Sequence, residues 1–160
     1  AEIKLVDIHQ GIDSTLLILQ HQLNSNTKYP EIEIIKKYAQ IPKINCYASQ
    51  LNQVFMNIIS NAIYALRDKN AKQPAIIIST LLKNKQNIAI SIKDNGIGIN
   101  QSVLDKIFDP FFTTKPVGSG TGLGLSTSYS IVVEKHNGKL KCNSILGKGT
   151  EFIIELPINS

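Results

Sequence analysis

The chain has 160 residues and a formal net charge of +5 at pH 7. Hydrophobic residues make up 42% and charged residues 18%, which is enough apolar material for one core and too little charge for a disordered chain. Arg67 is the only arginine, so the bidentate contacts by which proteins read duplex nucleic acid are nearly absent. We therefore expect a single globular domain that binds no nucleic acid.

The first residue and the hydropathy of the chain indicate what kind of protein it comes from and where that protein is located. The chain begins with Ala1, which indicates a fragment of a longer protein. No apolar run approaches the roughly 20 residues of a membrane span, so we expect no direct membrane insertion and a cytoplasmic location, whether or not the parent protein is membrane-anchored. Cys46 and Cys142 lack the spacing of a zinc site and are interpreted as reduced core residues.

In the first third of the chain, the spacing of apolar residues changes between that of a strand and that of a helix. A strand is predicted over residues 3–8 and a helix over 12–23, with Asp13 or Ser14 as its N-cap. A polar loop follows, and then two short β-rich segments at 32–38 and 43–47. The order is therefore strand, helix, strand, strand.

The middle of the chain begins with the clearest helix. Apolar residues from Leu51 to Leu66 recur at helical spacing on one face. Strands follow over 75–82 and 87–93, joined as a hairpin. The first is almost continuously apolar, which predicts a position inside a sheet. Residues 94–122 are rich in glycine and indicate a long functional loop anchored by an apolar patch at 107–112.

The last third predicts a helix over 123–136 that stops at Asn137-Gly138, and two strands over 139–143 and 150–156. Taken together, the elements predict an α+β fold, a two-layer α/β sandwich in which helices cover one face of a mixed sheet.

Polar residues interrupt the apolar stripe of the long helix. Gln53, Asn57 and Asn61 are four residues apart, so they form a row beside the stripe, and two asparagines one turn apart can aim their amides at one point. The alternative is a solvated helix edge in an Asn-rich protein.

Two glycine-containing segments could recognise a ligand. Asp94-Asn95-Gly96-Ile97-Gly98 follows a strand and places a carboxylate where it can accept a hydrogen bond from an exocyclic amine; the alternative is an ordinary turn. Residues 118–125 lead into a helix and offer backbone N–H groups to a phosphate chain, unless they are a flexible linker. The second segment is neither a Walker A loop nor a dinucleotide fingerprint.

In this order, the segments resemble the N, G1, F, G2 and G3 boxes of the ATP-binding catalytic domain of sensor histidine kinases. These kinases belong to the superfamily shared with gyrase, MutL-type repair proteins and heat-shock chaperones. The matching segments are Asn57-x-x-x-Asn61-Ala62, Asp94-x-Gly96-x-Gly98, Phe108-Asp109-Pro110-Phe111-Phe112, Gly120-Thr121-Gly122-Leu123-Gly124-Leu125 and Gly147-x-Gly149-Thr150. The resemblance covers essentially the whole chain. It implies a Bergerat fold with a mostly antiparallel sheet, three helices on one face and an ATP lid at about 95–121.

The resemblance also implies the cofactors ATP and Mg²⁺ and a set of site residues. Asp94 is expected to bind the adenine amine with help from Thr150 and Gly98, and Asn61 to be the Mg²⁺ ligand. The implied nucleotide-binding residues are Asn57, Asn61, Tyr64, Asp94, Gly96, Ile97, Gly98, Ile99, Phe108, Lys115, Gly120, Thr121, Gly122, Leu123, Gly124, Leu125 and Thr150.

Asn57 and Lys115 are the expected catalytic residues. Gyrase-type members have a glutamate where Asn57 stands, and because a neutral amide cannot take a proton from water, hydrolysis should be slow. Lys115 is expected to meet the γ-phosphate. Many kinases of the family carry a lysine three residues after the second asparagine, where this chain has Tyr64. Tyr64 itself, Arg67 and Lys115 are the candidates to replace that lysine.

The resemblance implies a partner domain. The family transfers the γ-phosphoryl group to a histidine on a separate dimerisation domain, and from there to a response regulator receiver domain. His9, His21 and His136 lack the acidic and proline neighbours of an acceptor box. We therefore expect the chain not to phosphorylate itself. The alternatives are an ATP hydrolase of the same superfamily and a non-catalytic nucleotide-sensing module.

Overall fold

The computed structural model describes residues 2–112 and 124–159 of the chain. Its strands are β1 (Lys4–Val6), β2 (Glu33–Tyr38), β3 (Ile44–Cys46), β4 (Ala75–Leu82), β5 (Asn87–Asp94), β6 (Lys139–Ile145) and β7 (Gly149–Pro157). Its α-helices are α1 (Ile8–Ile18), α2 (Gln20–Leu23), α3 (Ala48–Lys69) and α4 (Gly124–Tyr129), with a 3₁₀ helix at Gln101–Lys106 and a π-helical segment at Ser130–Lys135.

Five strands form the main sheet in the order β2-β4-β5-β7-β6. Only the β2–β4 pair is parallel, and β4, as its apolar sequence predicts, is an interior strand. The short strands β1 and β3 pair antiparallel in a separate two-stranded sheet. The predicted fold class, a mixed and mostly antiparallel sheet packed against helices, is confirmed.

The core lies between the sheet and its helices. Alternate residues of the central strands, among them Ile78, Ile90 and Ile154, are fully buried toward the helices. The helix α3 packs against this face with Val54, Ile58 and the rest of its apolar stripe. Because one face of α3 is held in the core, the orientation of its polar row is fixed.

The first helix begins earlier than the sequence predicts. The carboxylate of Asp7 accepts hydrogen bonds from the backbone N–H groups of His9 (3.0 Å) and Gln10 (3.4 Å), so Asp7 is the N-cap and α1 starts at Ile8. The predicted caps Asp13 and Ser14 are wrong. Asp13 lies inside the helix, where its carboxylate accepts a hydrogen bond from the Tyr38 hydroxyl and pairs with Lys36.

The last helix agrees with the sequence at its C-terminal end, but not in its hydrogen-bond pattern. After α4 the chain continues as the π-helical segment to Lys135. Asn137 then adopts a left-handed conformation (φ +53°), and the Gly138 N–H bonds to the Val132 carbonyl at 2.8 Å. None of the helices in the two described ranges is both long and apolar enough to cross a membrane.

Candidate functional site

A cleft of about 590 Å³ opens between α3, the segment after β5 and the turn between β6 and β7. Among the described residues it is lined by Asn57, Ser60, Asn61, Tyr64, Ala65, Asp68, Asp94, Ile97, Gly98, Ile99, Asn100, Ser102, Val103, Ile107, Phe112, Gly124, Leu125, Leu146, Thr150 and Phe152. Most of this lining is apolar, with a few polar groups among it, which is the usual character of a small-molecule site.

Asp94 is the buried acid of the cleft. It is the last residue of β5, and only 6% of its surface is exposed. Burial raises the pKa of its carboxyl to about 6, although backbone N–H groups of Gly96 and Thr150 and the charge of Lys69 act in the opposite direction. The Gly96 N–H donates to Asp94 Oδ1 at 2.8 Å. A ligand donor that reaches the bottom of the cleft would add a hydrogen bond to those that the Asp94 carboxylate already accepts from backbone N–H groups.

The two glycines after Asp94 permit close packing of the loop. A Cβ on Gly96 would lie 2.7 Å from the backbone carbon of Ala65 in α3, and the next N–H, of Ile97, donates to the Ala65 carbonyl at 3.1 Å. Gly98 has φ +76°, and a Cβ there would collide with the Ile145 carbonyl. These glycines therefore bring the loop against both walls of the cleft.

The polar row of α3 forms the opposite wall. Asn57 and Asn61 both line the cleft, as does Tyr64 one turn further on. The Asn57 side-chain Nδ2 donates to the Gly124 carbonyl (2.9 Å) and to Ser128 Oγ (3.2 Å), while its Oδ1 accepts from Gln53 Nε2 (3.0 Å). Asn57 thus joins the middle of α3 to the first turn of α4. An amide in this position holds the wall together and offers no base.

The segment after the glycines is tied down on its outer side. The Gly147 N–H donates to the Ile97 carbonyl (2.6 Å), and the Ile99 N–H donates to Ser144 Oγ (2.7 Å). Further along, the Phe108 ring packs against Tyr129 and Phe152, with centroids 5.3 and 6.4 Å apart. The first half of the predicted lid is therefore anchored to β6, α4 and β7.

The predicted site residues fall into three groups. Those that line the cleft are Asn57, Asn61, Tyr64, Asp94, Ile97, Gly98, Ile99, Gly124, Leu125 and Thr150. Gly96 and Phe108 lie behind the lining, where they pack the loop. Lys115, Gly120, Thr121, Gly122 and Leu123 lie outside the described residues.

Arg67 does not serve the cleft, so one of the three candidates for the missing lysine is wrong. Its guanidinium donates to the carbonyls of Pro30 (2.6 Å) and Gln22 (3.1 Å) and lies 4.9 Å from the centre of the Tyr29 ring. The described lining of the cleft contains two carboxylates, Asp68 and Asp94, and neither lysine nor arginine. Of the three candidates, this leaves Tyr64 in the lining and Lys115.

Several lining residues were missed from the sequence. Ser60, Ala65 and Asp68 continue the stripe of Asn57 and Asn61 along α3, so helical spacing could have identified them. Leu146 and Phe152 come from β7 and the turn before it. Nothing in the local sequence connects these two with the cleft, because their position depends on sheet pairing.

Comparison with known proteins identifies a family. Residues 46–160 match the family model described as histidine kinase-, DNA gyrase B- and HSP90-like ATPase. The chain belongs to this family. Its resemblance to the ATP-binding catalytic domain of sensor histidine kinases is confirmed, and ATP is the nucleotide that such domains use.

Individual relatives are histidine kinases. The chain is 37% identical over 151 residues to sporulation kinase E of Bacillus subtilis, covering 94% of the chain and 19% of that protein. It is 35% identical over 158 residues to the sensor histidine kinase ZraS of Escherichia coli, covering 98% and 31%. The catalytic domain of the histidine kinase ThkA shares the fold, with a TM-score of 0.80, 24% identity and full coverage of both chains. The chain spans about a fifth of the length of sporulation kinase E and about a third of the length of ZraS.

Proposed function

We propose that the chain is the catalytic domain of a sensor histidine kinase, which binds Mg²⁺–ATP in the cleft and presents the γ-phosphoryl group to a histidine of a separate dimerisation domain. The observation that carries this proposal is Asp94, a buried carboxylate at the bottom of a largely apolar cleft in a member of an ATP-using family. The cost of burying an acceptor is offset by the hydrogen bonds that it accepts, and the adenine amine can donate one more to Asp94.

Three segments of the chain divide the work of binding. The base is expected between Asp94, Thr150 and the apolar residues Ile97 and Ile107, and the triphosphate along Asn57, Asn61 and the start of α4. The Asn61 amide oxygen is a suitable Mg²⁺ ligand, since it lines the cleft and hard cations prefer oxygen. Bound Mg²⁺ would supply positive charge to the phosphates. The lid at about 95–121 would supply Lys115. The glycine-rich residues 118–124 would offer backbone N–H groups to the phosphates.

Asn57 favours transfer of the γ-phosphoryl group to histidine over hydrolysis of ATP, because its neutral amide cannot act as a base. In the transfer, a histidine ring nitrogen bonds to the γ-phosphorus while the bond from that phosphorus to the bridging oxygen breaks, which leaves ADP. Hydrolysis would need a base to activate water, and Asn57 is a neutral amide whose NH₂ group is engaged with Gly124 and Ser128. Positioning and charge neutralisation then remain as the main sources of rate.

The acceptor is proposed to lie on another domain because no histidine of this chain has the neighbours of an acceptor box, and two of the three are engaged within the fold. His136 is 3% exposed and both of its ring nitrogens are engaged, Nδ1 with the Ile131 carbonyl and Nε2 with the Tyr47 N–H. His9 stacks on Tyr38 and contacts Thr80 Oγ1 at 2.7 Å. A response regulator is proposed as the downstream partner; ThkA, which shares the fold, has been solved in complex with the response regulator TrrA.

The test uses the 160-residue chain and a separately produced dimerisation domain of the same parent protein. Calorimetry should show binding of Mg²⁺–ATP, and labelled ATP should mark the dimerisation domain only when both pieces are present. Label on His9, His21 or His136 of the isolated chain would contradict the two-part arrangement. Rapid phosphate release without the partner would support the hydrolase alternative, and binding with no transfer would support the sensing module.

A further inference from the structure

Ser144 places one buried hydroxyl between the base end of the cleft and the loop that borders it. It is the penultimate residue of β6 and only 7% exposed. Its Oγ accepts a hydrogen bond from the Ile99 N–H (2.7 Å), lies 2.7 Å from Thr150 Oγ1 and 3.0 Å from the Gly149 carbonyl oxygen. No motif in the sequence singles out this serine.

The sheet register connects Ser144 directly with the buried acid. Ser144 on β6 is the cross-strand partner of Thr150 on β7, and Thr150 is the partner of Asp94 on β5. The three side chains therefore form one row across three strands, on the face that packs against the helices. Two of them, Asp94 and Thr150, line the cleft, and Ser144 lies behind Thr150.

The single hydroxyl hydrogen of Ser144 limits the hydrogen bonds that Ser144 and Thr150 can make. A serine has one hydrogen to donate, and here two acceptors compete for it, Thr150 Oγ1 and the Gly149 carbonyl. If Ser144 donates to Gly149, then Thr150 must donate to Ser144, and toward the cleft it can act only as an acceptor. If Ser144 donates to Thr150, the Thr150 hydrogen is free to point at a ligand. Ser144 therefore sets the donor character of Thr150.

We propose that Ser144 is a positioning residue for nucleotide recognition: it orients the Thr150 hydroxyl toward the base and, through Ile99, holds the loop that borders the base. This proposal rests on the proposed function. An adenine ring presents acceptor nitrogens beside its amine, so it favours the arrangement in which Ser144 donates to Thr150 and Thr150 donates to the ligand. Inosine triphosphate has a ring N–H and a carbonyl instead, so it does not.

The test compares Ser144→Ala with wild type in the 160-residue chain, using Mg²⁺–ATP and Mg²⁺–inosine triphosphate. We expect ATP affinity to fall about tenfold, since a change near 1.4 kcal/mol is a factor of ten. The preference for ATP over inosine triphosphate should shrink about twofold to tenfold, because a Thr150 hydroxyl that Ser144 no longer orients can accept from the inosine N–H as well as donate to adenine, and one neutral hydrogen bond is worth roughly 0.5 to 1.5 kcal/mol. A purely structural role would lower both affinities equally and leave the ratio unchanged.

The controls separate recognition from folding. Ser144→Thr keeps the hydroxyl and should restore the ratio, and Ser79→Ala, on the outer face of β4, should change neither affinity. With the dimerisation domain added, Ser144→Ala should raise the KM for ATP more than it lowers kcat. An unchanged nucleotide ratio in a folded Ser144→Ala protein would overturn the proposal.

If Ser144→Ala does not fold, hydrogen exchange on the wild-type protein tests the proposal instead. Hydrogen exchange at the Ile99 amide should be slow before nucleotide is added, at least about tenfold below the unstructured rate, because this N–H is bonded to Ser144. Exchange at the unstructured rate would overturn the proposal. If the wild type bound no ATP at all, the proposed function would fail, whereas normal ATP binding with an unprotected Ile99 would refute only the role of Ser144.

Discussion

The Asn57 side chain on α3 donates a hydrogen bond of 2.9 Å to the carbonyl of Gly124, the first residue of the second described range. The same nitrogen lies 3.2 Å from Ser128 Oγ, one turn further along α4. Two helices that approach at the cleft are thus joined by a single amide. The amide is held in place by Gln53, which donates to its oxygen.

Asn57→Ala should therefore separate α4 from α3. We expect the free energy of unfolding to fall by about 1 to 2 kcal/mol, because the neutral hydrogen bonds from the Asn57 amide to Gly124 and Ser128 are lost, while the Gly124 carbonyl keeps its bond from Ser128 Oγ. Denaturant unfolding would measure this. Gln53→Ala is the matched control, since Gln53 is exposed and should change stability by no more than about 0.5 kcal/mol. Equal losses in the two variants would mean that the Asn57 contacts contribute nothing to helix packing.

Asp94→Asn should separate stability from nucleotide binding. An asparagine can still accept the Gly96 N–H, so the loop should keep its shape. The folded protein would no longer bury a charge, and we expect stability at neutral pH to rise by about 1 kcal/mol or more. ATP affinity should fall about tenfold to a hundredfold, because a charge-assisted hydrogen bond to the amine is lost. Calorimetry and denaturant unfolding on the same samples provide both numbers, and unchanged affinity would contradict the assignment of Asp94.

The pH dependence of binding should follow the same carboxyl. The pKa of the Asp94 carboxyl in the folded protein, about 6, lies above the ordinary value of 3.8. The ionised form therefore destabilises the fold above pH 6, and this cost is relieved as the pH falls from about 6 toward 4. Binding has the opposite sign, because the amine needs the carboxylate. The ratio of wild-type to Asp94→Asn affinity, which cancels titration of the phosphates, should fall as the pH is lowered through 6. A constant ratio would mean that another group binds the base.

Lys115→Ala tests the charge balance of the cleft. The described lining carries two carboxylates and no lysine or arginine, so under the proposed function Mg²⁺ and Lys115 would supply the positive charge for the phosphates. We expect the rate of phosphoryl transfer to fall by about two orders of magnitude, which is typical for loss of one charge-stabilising group. Lys85→Ala, in the hairpin loop between β4 and β5, is the control. Similar rates for Lys115→Ala and Lys85→Ala would exclude a role for Lys115.

Arg67→Ala should lower the stability of the protein and leave its ATP affinity unchanged. The Arg67 guanidinium bonds to the carbonyls of Pro30, in the loop before β2, and of Gln22, in α2, and so joins the end of α3 to both. We expect stability to fall by about 1 to 3 kcal/mol, as for hydrogen bonds from a charged donor, with ATP affinity unchanged. Arg67→Lys is the informative companion, since a lysine cannot bridge both carbonyls and stack on Tyr29. A large loss of ATP affinity in a folded Arg67→Ala protein would restore Arg67 as a phosphate ligand.

The sequence by itself determined those features that depend on neighbours along the chain. Helical spacing placed Asn57 and Asn61 on one wall, since a periodic apolar stripe allows only one orientation of α3. The Asp94 motif could be interpreted because it immediately follows a strand. The N-terminus of α1 was placed too late, because Asp7 and Asp13 are equally good caps locally and only the packing of Ile8 and Ile12 decides between them.

Tertiary structure decided the contacts between distant segments. Arg67 and Tyr64 are three residues apart on one helix, yet one faces the loop before β2 and the other the cleft, and only the packed neighbours show which does which. Ser144, Thr150 and Asp94 meet because the register of β6, β7 and β5 places them in one row. No local pattern contains that register, because it is set by the pairing of whole strands and the burial of one face of the sheet.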